Sequence, residues 1–253
     1  MAIKLKYFIG NWKMFGNLQS ISILYRINKL LAKNRHFKKN KRIIFCVPYT
    51  LINYFSHNFK NKIIQIGAQN CHYAKAFAPY TGSVNASMIK KSGAQYVIIG
   101  HSDHRLEGDT NKIIKKKIES ALNQNLNVIF CIGETKKEKK NKKTFHVLKK
   151  QIINSLDKKF NSNKIIIAYE PVWSIGSGKM PKSSDLEKII NFIKYQYIKI
   201  FKNKIFPKIL YGGSVNGRNI NLFSKIEQID GFLIGGASQS SKKFIDIINN
   251  YYK

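Results

Sequence analysis

Three reactive side chains each follow closely on a short apolar run: Lys13 in Asn11-Trp12-Lys13, His101 in Gly100-His101-Ser102, and Glu170 after Ile165–Tyr169. An ammonium, an imidazole and a carboxylate that meet at one mouth suit proton transfer next to a carbonyl. The carboxylate removes the proton, the imidazole polarises the carbonyl oxygen, and the ammonium stabilises the enediolate charge. Taken singly they say little. A lone Lys is usually solvated, and a lone His or Glu in a loop more often caps or pairs than reacts. Glycine-rich turns add a second signal: Ile175-Gly176-Ser177-Gly178, Gly212-Gly213-Ser214 and Gly235-Gly236. Glycine lets backbone N–H groups approach an anion closely, so these turns read either as a phosphate cradle or as plain tight turns. Gly178-Lys179 is no P-loop, because Trp173 and Met180 stand where Gly and Ser/Thr are needed. No G-x-G-x-x-G follows a strand, and Cys71-His72 has no partner at zinc spacing.

What must position these groups is an alternation of strands and helices. The strand candidates are Tyr7–Asn11, Ile43–Val47, Ile63–Ala68, Tyr96–Ile99, Val128–Cys131, Ile165–Tyr169, Ile209–Tyr211 and Phe232–Ile234. Most are near-continuous Ile/Val/Phe runs, as parallel strands covered on both faces require. Between them lie amphipathic segments such as Leu18–Ala32, Ile113–Gln124 and Leu186–Phe201, with apolar residues three and four apart. Thr135-x-x-Glu138 and Ser184-x-x-Glu187 read as capping boxes. The lysine run Lys136–Lys143 reads as the exposed start of a helix continuing into Phe145, Val147 and Leu148. Eight strand–helix units without a linker predict one domain over residues 1–253. Its fold is α/β, a closed (β/α)8 barrel of eight parallel strands with outer helices. In that fold, groups at the C-terminal strand ends share the active-site mouth. This common position gives the three reactive residues their functional meaning.

Composition limits the class further. A chain of 253 residues matches one such barrel, and no apolar run reaches the length of a membrane span. The opening Met1-Ala2-Ile3-Lys4-Leu5-Lys6 offers no signal-peptide cleavage pattern, and three scattered cysteines point to reduced thiols in the cytoplasm. The charge is unusual: 45 Lys+Arg against 13 Asp+Glu gives +32, and only five of the 45 are Arg. Lys, Asn, Ile, Tyr and Phe are all abundant and have AT-rich codons, so drift toward solvated lysine faces accounts for the excess. The same charge would steer an anionic substrate or attract polyanions.

The ordered segments Gly10-Asn11-Trp12-Lys13-Met14, Gly67-Ala68-Gln69-Asn70, Tyr96–Ser102, Cys131-Ile132-Gly133-Glu134, Ala168–Trp173, Tyr211–Val215 and Gly231–Ala237 span nearly the whole chain. With them the sequence resembles the triosephosphate isomerases. The resemblance implies a TIM barrel that interconverts dihydroxyacetone phosphate and D-glyceraldehyde 3-phosphate with no metal or organic cofactor. It makes Glu170 the base, His101 a neutral electrophile held so by a helix N-terminus, and Lys13 the electrostatic stabiliser; this family is itself a standard worked example of such tuning. Substrate binding would fall to Asn11, Ser102, Gly176, Ser214, Gly235 and Gly236, with Ser102 helping to position the catalytic groups. Pro171–Lys179 would be a lid that closes over the phosphate and excludes water, latched by the Tyr211–Ser214 loop. The implied partners are a triose phosphate and a second copy of the chain, docked through the loop around Gln69–Ser83. No specific nucleic acid and no membrane are implied.

The chain departs from the family pattern at several points. Gly-His-Ser-Glu-Arg-Arg becomes Gly100-His101-Ser102-Asp103-His104-Arg105, which leaves Asp103 one methylene short and predicts weaker support for Lys13. Ser83 replaces a common acidic residue, so an interface ion pair would be lost on both sides, with Ser83 opposite His104. Phe15 would add apolar contact near the same interface, and Ser174 and Ser177 replace the usual Ala and Thr of the lid. Two other readings compete. A basic nucleic-acid-binding protein on a decayed barrel predicts a broken catalytic set and clustered cations. A different phosphate-binding barrel isomerase needs another base.

Overall fold

The computed structural model describes residues 5–33, 41–60, 63–202 and 205–252. Met1–Lys4, on which most of the signal-peptide expectation falls, lie outside them. Strands β1 (Lys6–Asn11), β2 (Lys41–Val47), β3 (Ile64–Ala68), β4 (Tyr96–Ile99), β5 (Asn127–Ile132), β6 (Ile165–Tyr169), β7 (Lys208–Tyr211) and β8 (Gly231–Ile234) close into one parallel barrel. β1 completes the ring by pairing with β8, Phe8 against Phe232 and Ile9 against Leu233. The helices on the outside are α1 (Ile21–Lys33), α2 (Tyr49–Asn58), α3 (Ala86–Lys91), α4 (Ser102–Leu106), α5 (Asn111–Asn123), α6 (Lys136–Lys140), α7 (Thr144–Ser155), α8 (Ser183–Phe201), α9 (Asn221–Ser224) and α10 (Ser241–Tyr251).

The near-continuous apolar strands serve two cores. Tyr7, Ile9, Ile44, Cys46, Tyr96, Ile98, Ile129, Cys131, Ile166, Ala168, Leu210 and Leu233 fill the barrel interior. The alternate residues, such as Phe8, Phe45, Val97, Phe130 and Ile167, meet the helices. α1 shows how a helix answers them, burying Leu24, Ile27 and Leu31 at three- and four-residue spacing. The period of two along a strand also aims the chemistry. Tyr7 and Ile9 point inward, so Asn11 does too; Ile166 and Ala168 point inward, so Glu170 continues their row to the mouth.

Two helix expectations are corrected. Thr135 and Glu138 do form a capping box, but α6 stops at Lys140, and a separate helix, α7, resumes at Thr144 beyond Lys142 in a left-handed conformation (φ 55°). Lys136, Lys137, Lys139 and Lys140 crowd one short helix with a single carboxylate, and like charges at this spacing oppose its extension. Ser184 and Glu187 form no capping box: α8 begins at Ser183, with Lys182 as the flanking residue and no side-chain cap. Pro181 sets the chain direction just ahead of it, and Asp185 supplies the acidic group of the first turn. Among the described residues no helix is long and apolar enough to cross a membrane.

Candidate active site

Lys13 is held in an unfavourable backbone conformation. Its φ of 55° is left-handed, which a non-glycine residue adopts only when its surroundings impose it. The Lys13 N–H donates to Asn11 Oδ1 (3.1 Å) and its carbonyl accepts from Gln69 Nε2 (2.8 Å). Gln69 Nε2 also donates to the Cys46 carbonyl (3.0 Å), and Gln239 Nε2 donates to the Trp12 carbonyl (3.0 Å). Two buttressing amides therefore aim the lysine. Gln69 stands in one of the segments that carry the resemblance, but its bracing role is not read from that segment, and Gln239 stands in none.

His101 leaves the barrel after β4 and caps α4. The Asp103 N–H donates to His101 Nδ1 (3.1 Å), so that nitrogen presents a lone pair. A neutral ring that accepts at Nδ1 carries its proton on Nε2. Nε2 lies 3.6 Å from Glu170 Oε1, just beyond hydrogen-bond length. Glu170 is only 4% exposed, and its Oε2 is buried without a hydrogen-bond partner. A buried carboxylate oxygen left bare is costly, and such groups mark sites where a ligand proton completes the bonding. Gly212 makes room for it: a methyl there would sit 2.6 Å from Glu170 Cγ. Beneath it, burial and the neighbouring carboxylate push the Cys131 thiol far above its ordinary range.

These groups open on one cavity of about 930 Å³. Asn11, Lys13, His101 and Glu170 line one part, and Gly176, Ser214, Gly235 and Gly236 line another. A methyl built on Gly235 or Gly236 would meet nothing within 4 Å, so both leave an open wall. Ser102 does not line the cavity; it opens α4 behind His101. Arg218, Lys242 and Lys243 line it too, a role that the sequence did not reveal. Lysines in the first turn of a helix look like any other solvated face in a chain of +32. Among the described residues no three His, Cys, Asp or Glu side chains could hold a metal ion together.

A family model described as triosephosphate isomerase matches residues 6–251. The chain belongs to the triosephosphate isomerase family. It is 37% identical over 250 residues to the triosephosphate isomerase of Dictyoglomus thermophilum, covering 97% of this chain and 99% of that one. It is 35% identical over 257 residues to that of Bartonella quintana, with 100% of both chains covered. The crystal structure of triosephosphate isomerase from Bartonella henselae superposes with a TM-score of 0.86 at 35% identity, over 98% of this chain and 99% of that one. The chain is therefore an aldose–ketose isomerase of the (β/α)8-barrel class.

Against the family pattern Asp103 is shorter than the usual Glu, yet it reaches its target. Its Oδ2 lies 2.9 Å from Lys13 Nζ, so the charge and the contact are both kept. Asp103 sits in the first turn of α4, where its N–H donates to His101 Nδ1. Partial burial would raise its carboxyl. The Lys13 hydrogen bond and the Lys13 charge outweigh burial and hold it below the ordinary carboxylate range. Asp103→Glu should leave kcat/KM unchanged or raise it, because charge and contact both persist; a tenfold fall in steady-state assays contradicts this.

The segment from Pro171 begins at a buried hub. Glu134 accepts from Trp173 Nε1 (2.8 Å) and from the Tyr169 hydroxyl (3.1 Å to Oε2). Lys139 places its ammonium 3.2 Å from the centre of the Trp173 ring, a cation–π contact. Burial raises the Glu134 carboxyl despite these donors and the Lys139 charge. Trp173 is thus gripped on its edge by a carboxylate and on its face by a lysine.

Proposed function

We propose that this isomerase interconverts dihydroxyacetone phosphate and D-glyceraldehyde 3-phosphate through an enediolate. The observation that supports this most is the bare, buried Glu170 carboxylate beside His101 Nε2, in a cavity that also takes Lys13. Glu170 takes the proton from the carbon next to the carbonyl. The C–H electron pair forms the enediolate double bond as the carbonyl electrons move onto oxygen. The Nε2–H of neutral His101 and the Lys13 ammonium stabilise that oxygen, with Asn11 beside them. The former carbonyl oxygen gains a proton from His101 Nε2, and the neighbouring hydroxyl gives its own proton back to that nitrogen and becomes the new carbonyl. Glu170 returns the first proton to the neighbouring carbon, so the protons and electrons balance within the substrate and these side chains. Gly176, Ser214, Gly235 and Gly236 hold the phosphate through backbone N–H groups. Ser102 acts from behind, on the placement of the catalytic groups. Closure of Pro171–Lys179 excludes water from the enediolate.

The same proposal includes a single catalytic domain over residues 1–253, a cytoplasmic location and a homodimer. Free, buried Cys46, Cys71 and Cys131 support the reducing compartment. Met14 and Phe77 are fully exposed apolar side chains, at 101% and 99%, and Phe15 and Tyr80 are partly so. Phe77 and Tyr80 belong to the loop around Gln69–Ser83, and Met14 adjoins Lys13, so docking would cover both and support the lysine. Phe15 meanwhile stacks edge-on against buried Trp12 at 5.7 Å, which ties that surface to the core. The inferred juxtaposition of His104 with Ser83 of a second copy fits a buried His104 Nδ1 that has no partner within the described residues. Burial, with the nearby His101 and Lys117, keeps His104 below its ordinary range and favours the neutral ring at an interface. Analytical ultracentrifugation at micromolar concentration should find a dimer; a monomer there removes this part of the proposal.

A coupled assay of triose phosphate interconversion, with Glu170→Asp as the control, tests the activity. Wild-type protein without activity sinks the proposal.

A further inference from the structure

Ser174 stands where the family pattern has Ala, and its hydroxyl has three hydrogen-bond partners, two of them outside the lid. It is fully buried. It donates to the Lys179 carbonyl, lies 3.0 Å from the Tyr211 hydroxyl, and accepts from the Ser214 N–H at 3.2 Å. A hydroxyl has one proton to give and two lone pairs to share. Because its proton is committed to Lys179, Tyr211 must donate to it, and its bonding capacity is then complete. Gly213 allows this meeting: a methyl there would come within 2.3 Å of the Tyr211 hydroxyl and 2.6 Å of Ser174 Oγ. One side chain therefore ties residues 174 and 179 of the lid to Tyr211 at the end of β7 and to the loop that follows it.

The Ser214 N–H is also one of the donors assigned above to the substrate phosphate. In this structure that donor is already occupied by an oxygen of the lid. We propose that Ser174 Oγ is a resident stand-in for a phosphate oxygen, and that lid and phosphate compete for the Ser214 N–H. An arriving phosphate takes this donor, which loosens the Ser174 clasp and releases the lid to move. Ser174 is thus a positioning residue that couples phosphate arrival to lid release; it touches no reacting atom. The inference rests on the phosphate placement proposed above.

The opposing forces give the test its sign. A purely structural Ser174 would, on loss, loosen the lid base and weaken phosphate binding. A competing Ser174 would, on loss, free the donor and tighten it. In Ser174→Ala, the inhibition constant of inorganic phosphate against triose phosphate should fall by about threefold to tenfold, the worth of one exchanged hydrogen bond. Hydrogen exchange of the segment Tyr211–Asn216 should quicken without ligand and regain protection when phosphate is added. Because Ser174→Ala leaves the Tyr211 hydroxyl without its partner, the double variant Ser174→Ala/Tyr211→Phe removes that orphan and should show the same tightening. Phosphate that binds both variants no better, or more weakly, than wild type overturns the inference. Inorganic phosphate that fails to compete in the wild type refutes the phosphate placement instead, and that outcome is read before either variant is made.

Discussion

Glu170→Gln should lower kcat by about 10²–10⁴-fold, the usual contribution of a positioned general base. The substitution keeps size and shape but removes the proton acceptor, so KM should move by only a few-fold. The same change should raise the thermal midpoint. In the unliganded protein the carboxylate is buried with Oε2 unpaired, and a neutral amide costs less to bury than a charge. Activity and stability are therefore expected to change in opposite directions, as at sites where function is built from strained or unsatisfied groups. Steady-state kinetics in both directions, together with thermal unfolding, check the pair. Retained kcat, or lost kcat with a lowered midpoint, contradicts the assignment of Glu170 as a poised base.

Lys13→Met should cost about 10²–10³-fold in kcat/KM, the range for removing one preorganised group at a developing oxyanion. Methionine keeps much of the length of the side chain while deleting its charge. The Lys13–Asp103 pair is half exposed, with side chains at 38% and 51%, so its loss should change stability by no more than about 1 kcal/mol. The large kinetic effect and small stability effect separate a catalytic ammonium from a structural ion pair. The left-handed backbone at Lys13, held by Asn11 and Gln69, should survive the substitution. A kcat/KM within tenfold of wild type would show that His101 alone carries the oxyanion.

Much of this site is legible in the chain because a parallel barrel converts sequence position into spatial position. Ile165–Tyr169 is bounded as the sequence predicts, and Tyr96–Ile99 likewise. Whatever follows those strands must lie at the mouth. Glu170 and His101 could therefore be placed together although two strands of the barrel separate them in the chain. Helix boundaries are less legible. The break between α6 and α7 and the missing cap at Ser184 depend on charge crowding and on the approach from Pro181, which a three-residue spacing does not register.

The sequence by itself determined the order of strands and helices, the closed barrel they make, and the three side chains at its mouth. Short-range rules suffice there, since apolar runs, period-two alternation and glycine turns act on neighbouring residues. Only the tertiary structure decided that Gln69 and Gln239 brace the loop bearing Lys13, that Asp103 reaches that lysine despite its length, and that Ser174 occupies the Ser214 N–H. It also decided which apolar strand residues fill the barrel and which meet the helices, because both faces are buried and hydrophobicity is blind to the difference. Such contacts join residues 40 to 227 positions apart, or turn on a single atom, as at Oε2 of Glu170. Hydrogen bonds of this kind are specified by where closure of the barrel brings the backbone, and no local pattern in the chain encodes them.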